Sequence, residues 1–288
     1  MEETRAAAYA ERFGRVFAYI DEHLGEPLTV ERLSRVAHFS KFHFHRQFSQ
    51  YAGLSVARYI QLMRLRRASY RLAFDEALPV IDIALEACFE NPESFSRAFK
   101  HAFGQTPSQF RRAPAWQPWV QHYQLPVRAR EAAMDVSIVE FEETAVAALE
   151  HRGAPEQVNA SAKMFIDWRK STGLSPVVSS ETFGLAYDDP VTTPAAQFRF
   201  DICGSVTAPV PTNMFGVINK VIPAGRCAVV RHLGSHDQLG QAAYYLYRQW
   251  LPDSGEELRD FPLFFHYRNL LPDTAEHELV TDVCLPLR

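Results

Sequence analysis

The sequence predicts a multidomain chain: an all-α N-terminal half with a double helix-turn-helix, then an α+β half made of two pseudo-symmetric strand-helix-strand-strand repeats. Three observations carry this. A short aromatic helix bearing an outward arginine is used twice, fifty-odd residues apart. After Arg112 the apolar spacing changes from helical to alternating. Three landmarks in that second half recur in order at an offset of roughly 80 residues, the mark of an internal duplication.

The N-terminal elements follow from local signals. Leu28 to Ala37 reads as a short amphipathic helix with Thr29 as N-cap, His38 and Phe39 form a turn, and Ser40 caps the next helix. In that helix Phe44, Phe48 and Tyr51 share one stripe, while Phe42, His45, Arg46 and Ser49 share another. Ser55 to Phe74 reads as one long helix with Ile60, Met63, Leu65 and Leu72 facing a core. Val80 to Ala87, a turn at Cys88, Phe89 and Glu90, and a helix capped by Asn91 with Pro92 in first position repeat the pattern. There Phe95, Phe99 and Phe103 oppose Pro92, Glu93, Ser96, Arg97 and Lys100.

Two anchored helices that each present an arginine and small polar groups suit base-edge reading in the major groove of double-stranded DNA. The expected contacts are Ser40, Lys41, Phe42, His45, Arg46 and Ser49 from the first, and Pro92, Glu93, Ser96, Arg97 and Lys100 from the second. The long helix spans about 30 Å, near the ~34 Å of one DNA turn, which places the two helices in successive grooves. Charge agrees. Residues 1–113 hold 16 Lys/Arg against 13 Asp/Glu and the remainder 14 against 21, so a net charge of −4 hides a basic half and an acidic one. No acid occurs from Arg32 to Phe74, where nine basic residues sit and supply phosphate neutralisation.

Past the expected DNA-binding domain (1–112) and a proline-bearing linker (113–135), residues 136–288 alternate in strand-like runs. Val146 to Gly153 echoes Cys227 to Gly234, Trp168 to Gly173 echoes Trp250 to Gly255, and Phe200 to Cys203 echoes Thr281 to Cys284. A seam between such copies is a natural cleft for a small-molecule effector. Tyr187 and Tyr267 are expected to line it from opposite sides.

Both halves resemble known families. The run Ile81-Asp82-Ile83-Ala84, Phe89, Phe95-Ser96-Arg97-Ala98-Phe99-Lys100 and Phe103-Gly104-Gln105-Thr106-Pro107 is similar to the signature of the AraC/XylS regulators, whose double helix-turn-helix covers about 100 residues. Against a branch of that family with the DNA-binding domain first, Arg46 and Arg97 match, whereas Phe42, His45, Pro92 and Glu93 depart, which implies a different operator preference. Cys88 stands where the turn glycine is usual. The second half, through His151-Arg152-Gly153, Tyr187-Asp188-Asp189-Pro190, His232-Leu233-Gly234 and Trp250-Leu251-Pro252, resembles the GyrI-like effector-binding domains. That resemblance implies one curved antiparallel sheet flanked by helices. It further implies a pocket with aromatic walls, for which Tyr187, Tyr267, Trp168, Trp250 and Phe265 are the candidates, and a carboxylate, for which Glu150 is the candidate. It also places Phe265 or His266 where several relatives carry an acid, which disfavours a strongly cationic ligand.

The resulting expectation is a bacterial-type, cytoplasmic transcription regulator that binds an operator, senses an effector and contacts RNA polymerase. Enzyme signatures are missing: there is no P-loop, GxGxxG, HExxH or GxSxG, and Ser235-His236-Asp237 is adjacency without a triad. His43 and His45 face different ways on a helix, so no metal and no cofactor are expected. Four scattered cysteines read as reduced core thiols, no apolar run reaches membrane-spanning length, and the charged start of the chain reads as an amphipathic helix rather than a leader. Two alternatives stay open: a small-molecule hydrolase that uses Glu150 or His232, and an architectural DNA binder with a ligand-blind second domain.

Overall fold

The computed structural model describes residues 2–116, 119, 134–271 and 273–288, without the side chains of residues 2–11 and 42. The chain forms two compact units, Met1–Ala132 with Ala275–His277, and Ala133–Thr274 with Glu278–Arg288. Most of the stretch expected as a linker, with Pro118 and Pro126, lies outside the described residues. Trp116 and Trp119 within it are buried in the helical core, Trp116 against Phe110 at 5.0 Å between ring centroids and Trp119 stacked on Phe103 at 4.9 Å.

In the first unit the described helices are α1 (Glu2–Glu22), α2 (Val30–Val36), α3 (Lys41–Ala52), α4 (Val56–Phe74), α5 (Val80–Glu86), α6 (Pro92–Phe103) and α7 (Pro107–Arg112). Their starts are chemical. Thr29, Ser40, Ser55 and Asn91 each accept a hydrogen bond from the backbone amide three residues on, and Thr106 with Gln109 closes a full capping box. The core is aromatic: Phe13, Phe17, Phe44, Phe48, Phe95, Phe99, Phe103 and Phe110 are almost completely buried. Each such side chain contributes about 2 to 3 kcal/mol of burial. Ile60, Met63, Leu65 and Leu72 of α4 join them.

Both helix-turn-helix turns put a non-glycine residue in the left-handed region, His38 at φ 53° and Cys88 at φ 59°. The next amide closes the turn in each: Phe39 N–H donates to the Ser34 carbonyl and Phe89 N–H to the Ala84 carbonyl. The turn at Cys88 is therefore as tight as its twin, and it carries backbone strain that a glycine would relieve.

The second unit contains one eight-stranded antiparallel sheet in the order β1-β6-β8-β7-β3-β4-β2-β5. Its strands are β1 (Val136–Phe141), β2 (Thr144–Arg152), β3 (Thr182–Ala186), β4 (Arg199–Ser205), β5 (Ile218–Ile222), β6 (Gly225–Leu233), β7 (Leu263–Tyr267) and β8 (Val280–Pro286). Helix α8 (Val158–Thr172) follows β2, and α9 (Leu239–Tyr245) follows β6, running on through a π-helical turn and a last turn to Ser254. The duplication is plain: β2-α8-β3-β4 and β6-α9-β7-β8 meet at the β3–β7 pair, where Gly184 lies opposite Phe265. Each outer strand crosses to the other copy, β1 pairing with β6 and β5 with β2. This exchange ties the halves together.

Sheet alternation sorts side chains onto two faces. On the helix-covered face, Phe165 and Trp168 of α8 pack with Leu149, Phe200 and Ile202, and Leu239, Ala242 and Leu246 pack with Val230, Val283 and Leu285. The other face holds Val146, Phe183, Leu185, Phe264 and the three buried thiols, Cys203, Cys227 and Cys284.

Cys88→Gly is expected to stabilise the helical unit by about 0.5 to 1 kcal/mol, and Cys88→Val to destabilise it by about 1 to 2 kcal/mol, because a β-branched residue resists positive φ. Chemical denaturation of the two variants, followed through helical circular dichroism, checks both signs.

Candidate functional site

The two expected reading helices are built alike. Phe44 and Phe48 of α3, and Phe95, Phe99 and Phe103 of α6, fix the inner faces in the core. That packing leaves Lys41, His45 and Arg46 exposed on α3, and Pro92, Glu93, Arg97 and Lys100 exposed on α6, with Ser49 and Ser96 half-buried at the margins. Ser40 is engaged as the α3 cap. The Phe42 side chain lies outside what is described. Tyr51, expected in the core stripe, sits at the rim: it is 37 % exposed and stacks on Phe13 at 4.6 Å. Lys41 has an ion pair to Glu31 at 3.2 Å. Arg46 and Arg97, by contrast, have no hydrogen bond or ion pair among the described residues.

In the second unit the expected ligand residues do not come together. Glu150, Tyr187 and His266 lie on the face away from the helices, while Trp168, Trp250, Phe265 and Tyr267 lie on the helix-covered face. The expected Tyr187–Tyr267 clamp is corrected by register. Asp201 pairs with Leu185 across β3–β4 and Asp282 with His266 across β7–β8, so Leu185 and His266 are equivalent. Ala186 then matches Tyr267, and Tyr187 matches Arg268. A one-residue slip in alignment moves a side chain to the other face of a sheet.

Tyr187 belongs instead to a charged network. Its hydroxyl donates to the buried Asp201 carboxylate at 2.7 Å, which also takes the Lys220 ammonium at 2.6 Å and Arg152 at 3.4 Å. Lys220 reaches Glu150 as well, at 2.6 Å. Burial, and then the bond to Asp201, pushes the Tyr187 phenol up to about 12. Burial opposes the Lys220 charge, but Asp201 and Glu150 together raise its pKa. The other copy keeps the carboxylate and changes its partners: Asp282 pairs with Arg231 at 2.7 Å and Arg268 at 2.7 Å. His266, buried beside Phe183 at 4.4 Å between centroids, is pushed down to about 4 by burial and then by Arg268.

The helix-covered face has a different chemistry. Trp168 is fully buried and acts as core. Ala186 and Phe265 pack against both apolar clusters, which marks the seam between the copies. Gly184 forms its floor: a Cβ there would lie 2.5 Å from Phe200 Cζ and 2.9 Å from the Tyr267 hydroxyl, so the missing side chain lets both rings close over the sheet. Phe265 stands 6.3 Å from Phe200 and 6.3 Å from Tyr267 between centroids. Burial pushes the Tyr267 phenol up. On the six inner strands no Asp or Glu occupies this face. The buried cation nearby is Arg169, which donates to Thr182 at 2.8 Å and is pushed down to about 10 by burial.

Gly184, Arg169 and Lys220 were not singled out from sequence, and Phe200 and Asp201 were read only as part of a repeat landmark. A signal existed for Asp201, which recurs as Asp282 within the third repeat landmark. None existed for Lys220, which reaches its partners only through the exchanged strand β5.

Asp201→Ala is expected to cost about 2 to 3 kcal/mol, below the range for a fully buried pair because Lys220 keeps some solvent. Asp201→Asn should cost less, since it still accepts from Tyr187. Hydrogen exchange checks this as lost amide protection on β2, β4 and β5 with β6 and β8 unchanged.

Comparison with known proteins matches both parts of the chain. A family model described as the GyrI-like small molecule binding domain matches residues 134–288, and a helix-turn-helix domain model matches residues 33–113. The chain is similar to "Probable transcriptional regulator YgiV" of Escherichia coli (strain K12), 51% identical over 154 residues, covering 54% of this chain and 96% of that protein. It is also similar to the "Right origin-binding protein" of the same organism, 29% identical over 177 residues and covering 58% of each. Among solved structures, the cryo-EM structure of an EcmrR-DNA complex aligns over 90% of this chain and 98% of that one, at 18% identity and a TM-score of 0.47.

Proposed function

The chain belongs to the family of GyrI-like small-molecule binding domains and joins such a domain to a helix-turn-helix, which makes it a DNA-binding transcription regulator; on that premise we propose how it reads DNA and what it senses.

Reading falls to α3 and α6. The supporting observation is that Arg46 and Arg97 stand exposed at corresponding places on two core-anchored helices, with neither guanidinium committed to a partner among the described residues. A free guanidinium fork matches the guanine edge bidentately. Helix α4, about 28 Å long at 1.5 Å per residue, supplies a spacing close to a DNA turn. Lys41 and Lys100 hold phosphates, and His45, Ser49, Pro92, Glu93 and Ser96 set the fit around each arginine. Ser40 contributes through its helix cap, and Phe42 through its position on the same turn as His45.

Sensing falls to the seam over Gly184, with Phe265, Tyr267, Phe200 and Trp250 as its walls. The single observation that carries the ligand class is the lack of any carboxylate on that face of the six inner strands. An aromatic site without a negative charge does not compensate a buried cation, whose desolvation then goes unpaid. The effector is accordingly a flat, neutral or weakly acidic apolar molecule. It acts by favouring one DNA-binding or polymerase-contacting arrangement over another, and the regulator works in the cytoplasm with RNA polymerase as partner.

The role is non-catalytic. Burial first pushes the Tyr187 phenol up to about 12 and the Cys227 thiol up to about 11, so neither is an anionic nucleophile at pH 7. Glu150 and His232, the residues of the hydrolase alternative, project from opposite faces of the sheet.

Arg46→Ala and Arg97→Ala should each cost about 1 to 3 kcal/mol on the operator and much less on random duplex, measured by fluorescence anisotropy. Equal losses on both DNAs would favour the architectural alternative.

For the sensor, thermal shift with naphthol and with the dication pentamidine should show stabilisation by the first alone, and Phe265→Glu should reverse the preference. Stabilisation of the unaltered protein by pentamidine at equal concentration would refute the assigned ligand class.

A further inference from the structure

Nine basic residues lie between Arg32 and Phe74, and the structure separates those already engaged from those left over. Arg32 pairs with Glu26 at 2.6 Å, Lys41 with Glu31 at 3.2 Å, and Arg71 with Glu86 at 3.2 Å. Arg58 donates to Gln61, Arg35 to the Glu31 carbonyl, and Arg64 to the Leu24 and Glu26 carbonyls at 2.8 and 2.7 Å. Arg66 is buried. Two remain without a partner among the described residues, Arg46 on the first reading helix and Arg67.

Arg67 lies near the middle of α4, in a small cleft that it shares with Arg64 and Arg71, three and four residues away on the same helix face. Leu24 and Ile83 form the apolar walls, and Glu86 is the one acid in the lining. Glu86 is committed to Arg71, and Arg64 is held by two carbonyls of the α1–α2 connection. The flanking guanidiniums are thus fixed by other groups, while the central one is unspent. The cleft adjoins the second helix-turn-helix motif through Ile83, Glu86 and Ala87, and Cys88, in the turn leading to α6, lies 3.6 Å from the Leu24 carbonyl through its Sγ.

We propose that the Arg64–Arg67–Arg71 cleft is a phosphate site with Arg67 as its anchoring residue. The chemistry is that of a phosphate oxyanion met by a planar guanidinium, reinforced by two positive neighbours that need no rearrangement. Two sources share this chemistry. One is a backbone phosphate of the DNA between the blocks read by α3 and α6, where the cleft lies midway along the connecting helix. The other is free inorganic phosphate. The first source rests on the two-groove reading proposed above; the second does not.

The test compares the full chain with Arg67→Ala and Arg67→Lys. The salt dependence of binding to a random duplex should lose about one unit of log–log slope in Arg67→Ala and keep it in Arg67→Lys, since each neutralised phosphate contributes about 0.9. Because Arg67 has no partner among the described residues, the unfolding temperature of DNA-free Arg67→Ala should equal that of the unaltered protein. In parallel, the phosphorus resonance of inorganic phosphate is followed as each protein is added. Broadening by the unaltered protein but not by Arg67→Ala identifies free phosphate as a ligand; a slope change without broadening identifies the DNA backbone. If the slope and the resonance are both indifferent to Arg67, the proposal is overturned, while the comparison of operator with random duplex for Arg46→Ala and Arg97→Ala reports separately whether the two-helix reading of DNA stands.

Discussion

The antiparallel pairing of β3 with β7, with Gly184 opposite Phe265, is the constraint on which the second unit rests. It joins the two copies of the repeat, and by fixing the pleat it decides which side chains meet the helices and which meet the charged network. From it follow the apolar seam on one face and the Asp201 and Asp282 clusters on the other. The two faces are chemically unlike. One excludes carboxylates from its inner strands; the other neutralises a buried carboxylate in each copy with cations from neighbouring strands.

Duplication with divergence explains much of this asymmetry. Asp201 and Asp282 are equivalent, yet the first is met by a tyrosine and a lysine and the second by two arginines. Ala186 and Tyr267 are equivalent as well, so one copy supplies a ring where the other leaves space. The sensing site proposed at that seam therefore lies between unlike halves, one with a phenol ring and the other with a methyl group at the equivalent position. The crossed outer strands bear on the same point: Lys220 reaches Asp201 only because β5 pairs with β2 of the other copy.

The helical unit shows the same economy in another form. Each proposed reading helix is held by phenylalanines packed almost without exposure, and each is entered through a turn strained by a non-glycine residue at positive φ. Rigid anchoring and a fixed entry angle are what an outward arginine needs if its fork is to meet a base edge without losing conformational freedom on binding. Charge accounting then separates the arginines that hold the domain together from those left free for a ligand.

Local features were legible in the sequence because they depend on near neighbours. The caps at Thr29, Ser40, Asn91 and Thr106, the aromatic stripes of α3 and α6, and the repeat landmarks all arise from spacings of a few residues or from a recurring order. The double helix-turn-helix followed by an α+β duplication could be read on that basis. What only tertiary structure decided was the side of the sheet on which each ligand candidate falls. Tyr187 and Tyr267 look equivalent as letters, but they are one residue out of register, and a period of two turns that offset into opposite faces. The engagement of Glu150 by Lys220, the glycine floor at Gly184 and the unspent Arg67 likewise depend on contacts between residues far apart in the chain. No local spacing encodes such contacts; they exist only once strands and helices have chosen their neighbours.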